Sequence, residues 1–464
     1  MKLNKNKGLG CVKIQGLFLL FICVFCKTIQ AQSFEKLLEQ AKQNDPNYKI
    51  IEYEKSKLQH YIDQQMMSNA VNLDLSAQKG FSSESNQQTL SLNGELSKEF
   101  VETGTSTSVS YNQTKRPDRE EKVTRLLLQQ SLLKNIFGRN ARLRKSSLQD
   151  EVQLQLLQLE ESYEQYVEQV LNDFFNYHIA QESYSLSDDL YQATQNLEKQ
   201  VKSKYSLRIA SKTDLARAKL GTLLSYEDYI NNQNNVEQMK AILSNRLASD
   251  DIAISKQEKN SLFAVLNQKV IDINDKQNNE LDNLRLVQIS SLQQRAANKV
   301  ARLSKNNLLP NLQFVLGYTV DDSVRFNTAI ERQETVFGLN LSFPIGDRQT
   351  KAEAALTKIS FLQSIEEKRK VILDLKNDRD TLYVRLKQAQ QIKELTQSKV
   401  DLQQEIIKDE ERRYKIGSRS LSDLIELRKD FAQYNNENQQ ASLNYAQLMI
   451  AWLSMHDMLV ESIF

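Results

Sequence analysis

Cysteine occurs only at positions 11, 23 and 26, within the first 31 residues of the chain. If that segment is removed, what remains has no disulfide, thiol nucleophile or thiolate metal site. Histidine is equally sparse: His60, His178 and His456 lie far apart, without metal-ligand spacing. There is no phosphate-binding glycine loop, no His-Glu-x-x-His pair and no nucleophile elbow, so neither an enzyme nor a cofactor is expected. Glycine and proline are both absent from Arg139 to Tyr205, and Gly417 is the only glycine after Gly346. Chain without either residue favours unbroken helix. Sixty-seven residues of helix would run roughly 100 Å at about 1.5 Å per residue. An ordinary globular domain has no place for such a rod.

The first 31 residues read as a signal peptide. Lys2, Lys5, Lys7 and Lys13 form a positive leader, Leu17 to Cys26 is an apolar core too short to span a bilayer, and cleavage is expected near Ala31. This segment carries five lysines and no acids, which leaves 56 basic and 59 acidic residues, a net charge of −3. The basic balance of the full chain is therefore due to the leader, and no nucleic-acid partner is implied.

Two periodicities share the rest. Phe34, Leu37, Leu38 and Ala41 have helical spacing, and Asn44-Asp45-Pro46 suits the start of a second helix. Strand-period alternation follows in Val71, Leu73, Leu75 and Ala77, again in Leu90, Leu92, Gly94 and Leu96, and again in Thr105, Thr107, Val109 and Tyr111. The polar runs 82–89 and 112–121 read as loops, and 123–133 as a further extended stretch. The long helix from Arg139 carries two apolar stripes, Leu156, Leu159, Tyr163, Tyr166, Val170, Phe174 and Tyr177 beside Val167, Leu171 and Phe175. Two stripes let a helix pack on both sides, as in the wall of a cylinder. The aromatic residues among them are read as packing. A helix over about 213–248 and a charged, irregular linker at 249–279 complete the first half.

The second half repeats the plan. A helix over about 280–305 precedes strands within 311–343, and a helix over about 348–414 leads to a last helix ending near 458. Tyr205, Leu207, Ser211, Asp214 and Leu215 match Tyr414, Ile416, Ser420, Asp423 and Leu424 at a constant offset of 209 residues. The chain is thus expected to be a duplicated unit of strands and a long helical hairpin: repeat one at 32–279, with strands in 70–133 and a tip near 206–212, and repeat two at 280–464, with a tip near 416–420. Arg208 stands where the second tip has Gly417, so the two turns need not share one conformation. Strands of about ten residues with one apolar face are the signature of an outer-membrane barrel. A few strands cannot close one, and an open edge in lipid is forbidden, so several chains must supply the barrel together.

These features resemble the TolC-like outer-membrane efflux proteins over essentially all of 33–460. The motifs that carry the likeness are Asn44-Asp45-Pro46, Leu309-Pro310-Asn311-Leu312 entering a strand, Leu341-Ser342-Phe343-Pro344-Ile345 leaving one, and Tyr414-x-x-Gly417 with Asp423. The resemblance implies an α+β, mostly helical fold: a homotrimeric outer-membrane barrel of twelve strands, four per subunit, continued by a long periplasmic helical barrel. It implies a channel of a tripartite efflux or type I secretion system, partnered by a periplasmic adaptor, an inner-membrane pump and outer-membrane lipid. By the same likeness Asp423 and Glu426 would form an acidic entrance ring, and Tyr414 and Arg419 would latch to Asp214 and Thr213. Leu207, Arg208, Ile209, Ile416, Gly417 and Ser418 would face the adaptor. About 30 residues between the first-half strands are extra to the pattern, and the hairpin 90–111 is expected at the membrane end, inside or outside the barrel. The reading from another class is a periplasmic coiled-coil adaptor or scaffold without membrane strands, which explains the duplication poorly.

Overall fold

The computed structural model describes residues 34–65, 70–82, 87–117, 119–249, 256–275, 281–325 and 328–460. The expected signal peptide lies outside these residues. Helices α1 (Phe34–Asn44) and α2 (Pro46–Gln65) come first. Strands β1 (Val71–Ser82), β2 (Gln87–Phe100), β3 (Thr105–Arg116) and β4 (Arg119–Ser131) follow. Next come α3 (Arg139–Ser206), α4 (Lys212–Leu247), α5 (Lys256–Asp275) and α6 (Arg285–Asn307). Strands β5 (Asn311–Arg325) and β6 (Thr328–Ser342) lead to α7 (Arg348–Lys415) and α8 (Leu421–Met455). None of the described helices is long and apolar enough to cross a membrane.

Most element boundaries match the periodicities, and three do not. Of the expected loop 82–89, Ser82 belongs to β1 and 87–89 belong to β2, paired in register. The run 112–121 is strand apart from a tight turn, because Asn112 to Arg116 pair in register with Arg119 to Val123. The stretch 249–279 is not irregular throughout, since α5 lies within it. Phe263, Leu266, Val270 and Ile273 recur at helical spacing, and Leu266 is completely buried. Their polar neighbours hide that face in the sequence.

The chain forms two compact units, and each draws on both halves. One comprises residues up to 50, 163–278 and 379–464; the other comprises 51–162 and 279–378. In the first unit, Leu171, Phe174 and Phe175 of α3 are buried; Phe174 meets Phe34 of α1 edge-on at 5.5 Å, and Phe175 meets Phe263 of α5 at 6.4 Å. Burying each such side chain contributes about 1.5–3 kcal/mol. The Asn-Asp-Pro motif has a clear task here. Asn44 Nδ2 donates to the carbonyl of Leu247 at the end of α4 (3.0 Å). Asp45 caps Asn47 N and accepts from Arg246 at 3.2 Å, while the same guanidinium reaches Asp173 at 2.7 Å. Asp45 is buried, so its charge requires that partner.

The second unit holds the sheet. All six strands form one antiparallel sheet in sequence order, β1 to β6. The extra segment is therefore not an appendage: β2 and β3 are paired along their length between β1 and β4. The register separates the two faces. Leu73, Leu96, Val109, Leu126 and Tyr318 fall in one row across five strands. The next row, pointing the other way, reads Asp74, Glu95, Ser110, Arg125, Thr319 and Glu334. The apolar face is exposed, with Leu75 74% and Phe337 77% accessible.

The turn between β2 and β3 is fastened to the start of α3. Ser131 N donates to Gly104 O, Arg142 donates to Glu102 O, and Lys145 pairs with the Glu102 carboxylate at 2.7 Å. Gly138 and Gly104 make the close approach possible, both with positive φ (75° and 67°). A Cβ on Gly138 would lie 2.0 Å from Glu102 O, and one on Gly104 would lie 2.8 Å from Asn135 O. Neither backbone can yield without opening the turn. Gly138→Ala is expected to cost about 2–4 kcal/mol through clash and strain together. Gly338→Ala, at a strand position with no atom within 4 Å, should be neutral. Thermal unfolding of the purified protein measures both, and equal midpoints for the two variants would refute the anchoring role.

Candidate functional site

The two hairpin tips contain every residue that the sequence picks out for function, and both lie in the first unit. They are built alike. In the first, Leu207 N, Arg208 N and Ile209 N donate to the carbonyls of Ser203, Tyr205 and Lys204. In the second, Ile416 N, Gly417 N and Ser418 N donate to those of Arg412, Tyr414 and Arg413, each at the same offset of 209. Ser211 and Ser420 then start α4 and α8 as N-caps, at φ −79° and −78°, accepting from Asp214 N and Asp423 N. The Arg208–Gly417 difference leaves the turn unchanged. Arg208 adopts φ 59°, close to the 77° of Gly417, and bears the strain that glycine avoids.

The acids differ. Asp214 closes a full capping box, its Oδ2 accepting from Ser211 N at 3.0 Å and Ser211 Oγ at 2.7 Å. These hydrogen bonds hold its carboxyl below the usual range. Asp423 instead lies 3.6 Å from Arg419, while Glu426, one turn along the same helix, is exposed. Arg419 is also bonded to Glu410, a buried acid that the sequence reading missed. Arg413 lies 3.6 Å from Glu410 and 3.0 Å from Asp409, and Arg428 lies 2.7 Å from Glu411, so ion pairs surround the second tip. Only the run Asp409-Glu410-Glu411 beside Arg412-Arg413 could have signalled this network in the sequence.

Tyr414 faces inward. It packs with Leu197, Val201, Ala218, Leu421 and Leu424, joining the two hairpins, and Lys204 Nζ sits 4.4 Å from its ring centre. Its counterpart Tyr205 is 41% exposed. Within the chain the expected latch residues have other partners. Within the chain, the Asp214 carboxylate is engaged by Ser211 and the Arg419 guanidinium by Glu410 and Asp423. Leu207, Ile209 and Ile416 project from the turns at 69%, 72% and 79% exposure. Thr213 sits exposed in the first turn of α4.

Above the second tip, α7 has two opposite apolar stripes. Leu362, Leu373, Val384, Leu395 and Ile406 recur every eleven residues and are all exposed. Eleven residues make just over three turns, so the stripe stays close to one face. Leu375 and Leu386, each two residues further on and hence across the helix, are buried. A helix with both sides apolar is a wall element.

Residues 278–454 match the family model of outer membrane efflux proteins. The second half of the chain thus carries the signature of that family. No curated protein matches its sequence, but solved structures share its fold. VceC, an outer membrane protein of Vibrio cholerae, is 10% identical with a TM-score of 0.66, covering 91% of this chain and 96% of its own. The open state of the MtrE outer membrane channel of Neisseria gonorrhoeae is 13% identical with a TM-score of 0.65, covering 92% and 89%. The CmeC outer membrane channel of Campylobacter jejuni is 14% identical with a TM-score of 0.61, covering 92% and 85%. Such identities establish shared fold alone.

Relieving the strain at the first tip should stabilise it. Arg208→Gly removes about 1–2 kcal/mol of left-handed strain and returns part of it as chain entropy, for a net gain of about 0.5–1 kcal/mol. Hydrogen exchange at the amides of position 208 and Ile209 should slow accordingly, and faster exchange would refute the reading. The Asp214 cap should persist at pH values above the ordinary aspartate range. It should weaken only as pH falls through the depressed value, because protonation removes the acceptor for Ser211.

Proposed function

We propose that this protein is the outer-membrane exit duct of a tripartite efflux or type I secretion system. In this reading a homotrimer carries substrates from an inner-membrane pump through a periplasmic helical tube and a barrel to the exterior. The observation that carries it is the pairing of a sheet with one exposed apolar face and helices with apolar stripes on opposite sides. The first suits lipid, and the second suits the wall of a tube. The N-terminal segment is the export signal, cleaved near Ala31, and the two sequence repeats are the building units. A soluble scaffold offers no reason for the apolar sheet face.

The duplication supports a specific seam between copies. Within the chain, Leu197 (5% exposed) of the first hairpin meets Tyr414 (9%) of the second. Shifting by 209 residues converts these to Ile406 and Tyr205, which are 45% and 41% exposed. In a ring of alternating hairpins, Ile406 of one copy would meet Tyr205 of the next and repeat the internal contact. Ile406→Cys with Tyr205→Cys should therefore give oxidative crosslinks between chains in intact membranes. Their absence, with the oligomer present, refutes this seam.

At the tips, Leu207, Arg208, Ile209, Ile416, Gly417 and Ser418 present apolar and flexible surface to a periplasmic adaptor. Asp423 and Glu426 lie three residues apart on one helix face, so threefold symmetry gathers six carboxylates. Arg419 offsets part of the Asp423 charge, which leaves exposed Glu426 as the stronger contributor. Such a ring attracts multivalent cations. Conductance through purified oligomers should fall with millimolar trivalent cation on the tip side. Asp423→Ala with Glu426→Ala should remove most of the block, and an unchanged block places the constriction elsewhere.

The latch of Tyr414 and Arg419 to Asp214 and Thr213 belongs to the closed assembly. There the present bonds of Asp214 and Arg419 are exchanged or shared. Each tie is worth about 0.5–1.5 kcal/mol, more where charged, so three copies could hold the tube shut against adaptor binding. Tyr414→Phe with Arg419→Ser should raise single-channel conductance several-fold with the oligomer intact. Wild-type conductance in that variant removes the latch.

A further inference from the structure

We infer that each copy gives six strands, not four, to the shared barrel, so that three copies close a barrel of eighteen. The inference rests on the homotrimeric channel reading and deepens it. Three observations carry it. First, the sheet is continuous: β2 and β3 pair with each other and with β1 and β4 over eleven or more residues each, without a break in register. Second, the apolar row runs through the added strands, as Leu96 of β2 and Val109 of β3 sit between Leu73 and Leu126. A hairpin folded outside a barrel would have no cause to keep its apolar side on the lipid-facing side. Third, the inner end of the hairpin is anchored, because Glu102 and Gly104 are bonded to Arg142, Lys145 and Ser131 at the strand-to-helix junction.

Closure follows from the strand directions. Successive strands are antiparallel, so β1 and β6 point in opposite senses and their outer edges can pair as an antiparallel ladder between copies. Those two edges are unpaired in the single chain, a condition that lipid does not tolerate. Six is even, so every seam of a ring can be of this kind. Barrel diameter grows roughly linearly with strand number, making an eighteen-stranded barrel about one and a half times as wide as a twelve-stranded one. Barrels of that size leave an aqueous channel. The residues turned to that lumen are Asp74, Glu95, Arg125 and Glu334 with their serine and threonine neighbours, a surface suited to water rather than to an apolar cargo.

The test is a cysteine scan across the seam on the full chain in its own membrane. Asn72→Cys, Asp74→Cys or Ser76→Cys in β1 is combined with Arg332→Cys, Glu334→Cys or Asn340→Cys in β6, because the relative shift of the edges is set only by closure. At least one combination should give, on oxidation, a covalent ladder that ends at three chains. Val109→Cys in β3 should take a lipid-phase label. A ladder that ends at two chains gives twelve strands and overturns the inference. So does an intrachain bond between Asp74→Cys in β1 and Arg125→Cys in β4, which would mean that the hairpin has left the sheet. If a membrane-embedded oligomer forms and no β1–β6 pair links, the six-strand seam fails and the channel reading stands. If no heat-modifiable membrane oligomer forms, the channel reading itself has failed.

Discussion

The unpaired backbone at the two edges of the sheet dominates this molecule. Inside a bilayer each unsatisfied N–H or C=O costs several kcal/mol, and β1 and β6 each present a row of them. The chain cannot satisfy these groups alone, because its strands form an open sheet. In the proposed oligomer the matching edge of a second copy satisfies them, so that one surface solves both ends of the problem. The exposed apolar face follows from the same constraint: it is a liability in water and an asset in lipid.

The helices meet an analogous constraint in water. Leucines of α7 face outward on one side and inward on the other, with the exposed set spaced by eleven residues. A seven-residue spacing would wrap the helix left-handed around a partner, whereas eleven drifts more slowly and in the right-handed sense. A helix with two apolar sides and so slow a drift is suited to stand in a palisade. The two tips make the same point, because a fixed shift of 209 residues relates buried Leu197 and Tyr414 to exposed Ile406 and Tyr205.

How much of this could be read from the sequence depends on which side of each element carries the signal. Strand period in 90–111 was plain, since leucines alternate with serine, asparagine and glutamate. The place of that hairpin in the sheet was not, because pairing partners are long-range and alternation says nothing about neighbours. The lengths of α3 and α7 were legible from the absence of glycine and proline. Helix α5 was missed because Leu266, Val270 and Ile273 are diluted by Gln, Asn, Lys and Asp. At the tips the N-cap serines and their aspartates were visible as a repeated pattern. Glu410 was not singled out, since its partner Arg419 comes from beyond the turn and only the folded hairpin brings them together.

The two tips share one backbone arrangement and differ in charge. Arg208 holds the same left-handed turn as Gly417 at an energetic cost, so the geometry of the tip is dictated by its hydrogen bonds and caps rather than by the turn residue. What diverges is charge. Asp214 is satisfied locally by Ser211, and its helix start is self-contained. Asp423 keeps only the backbone half of that arrangement and turns its carboxylate toward Arg419, which Glu410 also claims. A carboxylate bound to its own cap is a poor responder to a neighbour, whereas one that shares a guanidinium with a second acid can exchange partners at small cost. In the proposed channel the first tip is therefore the fixed side of the entrance and the second is the side that can move. The ion pairs gathered around 409–428 are the means by which a neighbouring chain or an adaptor would shift it.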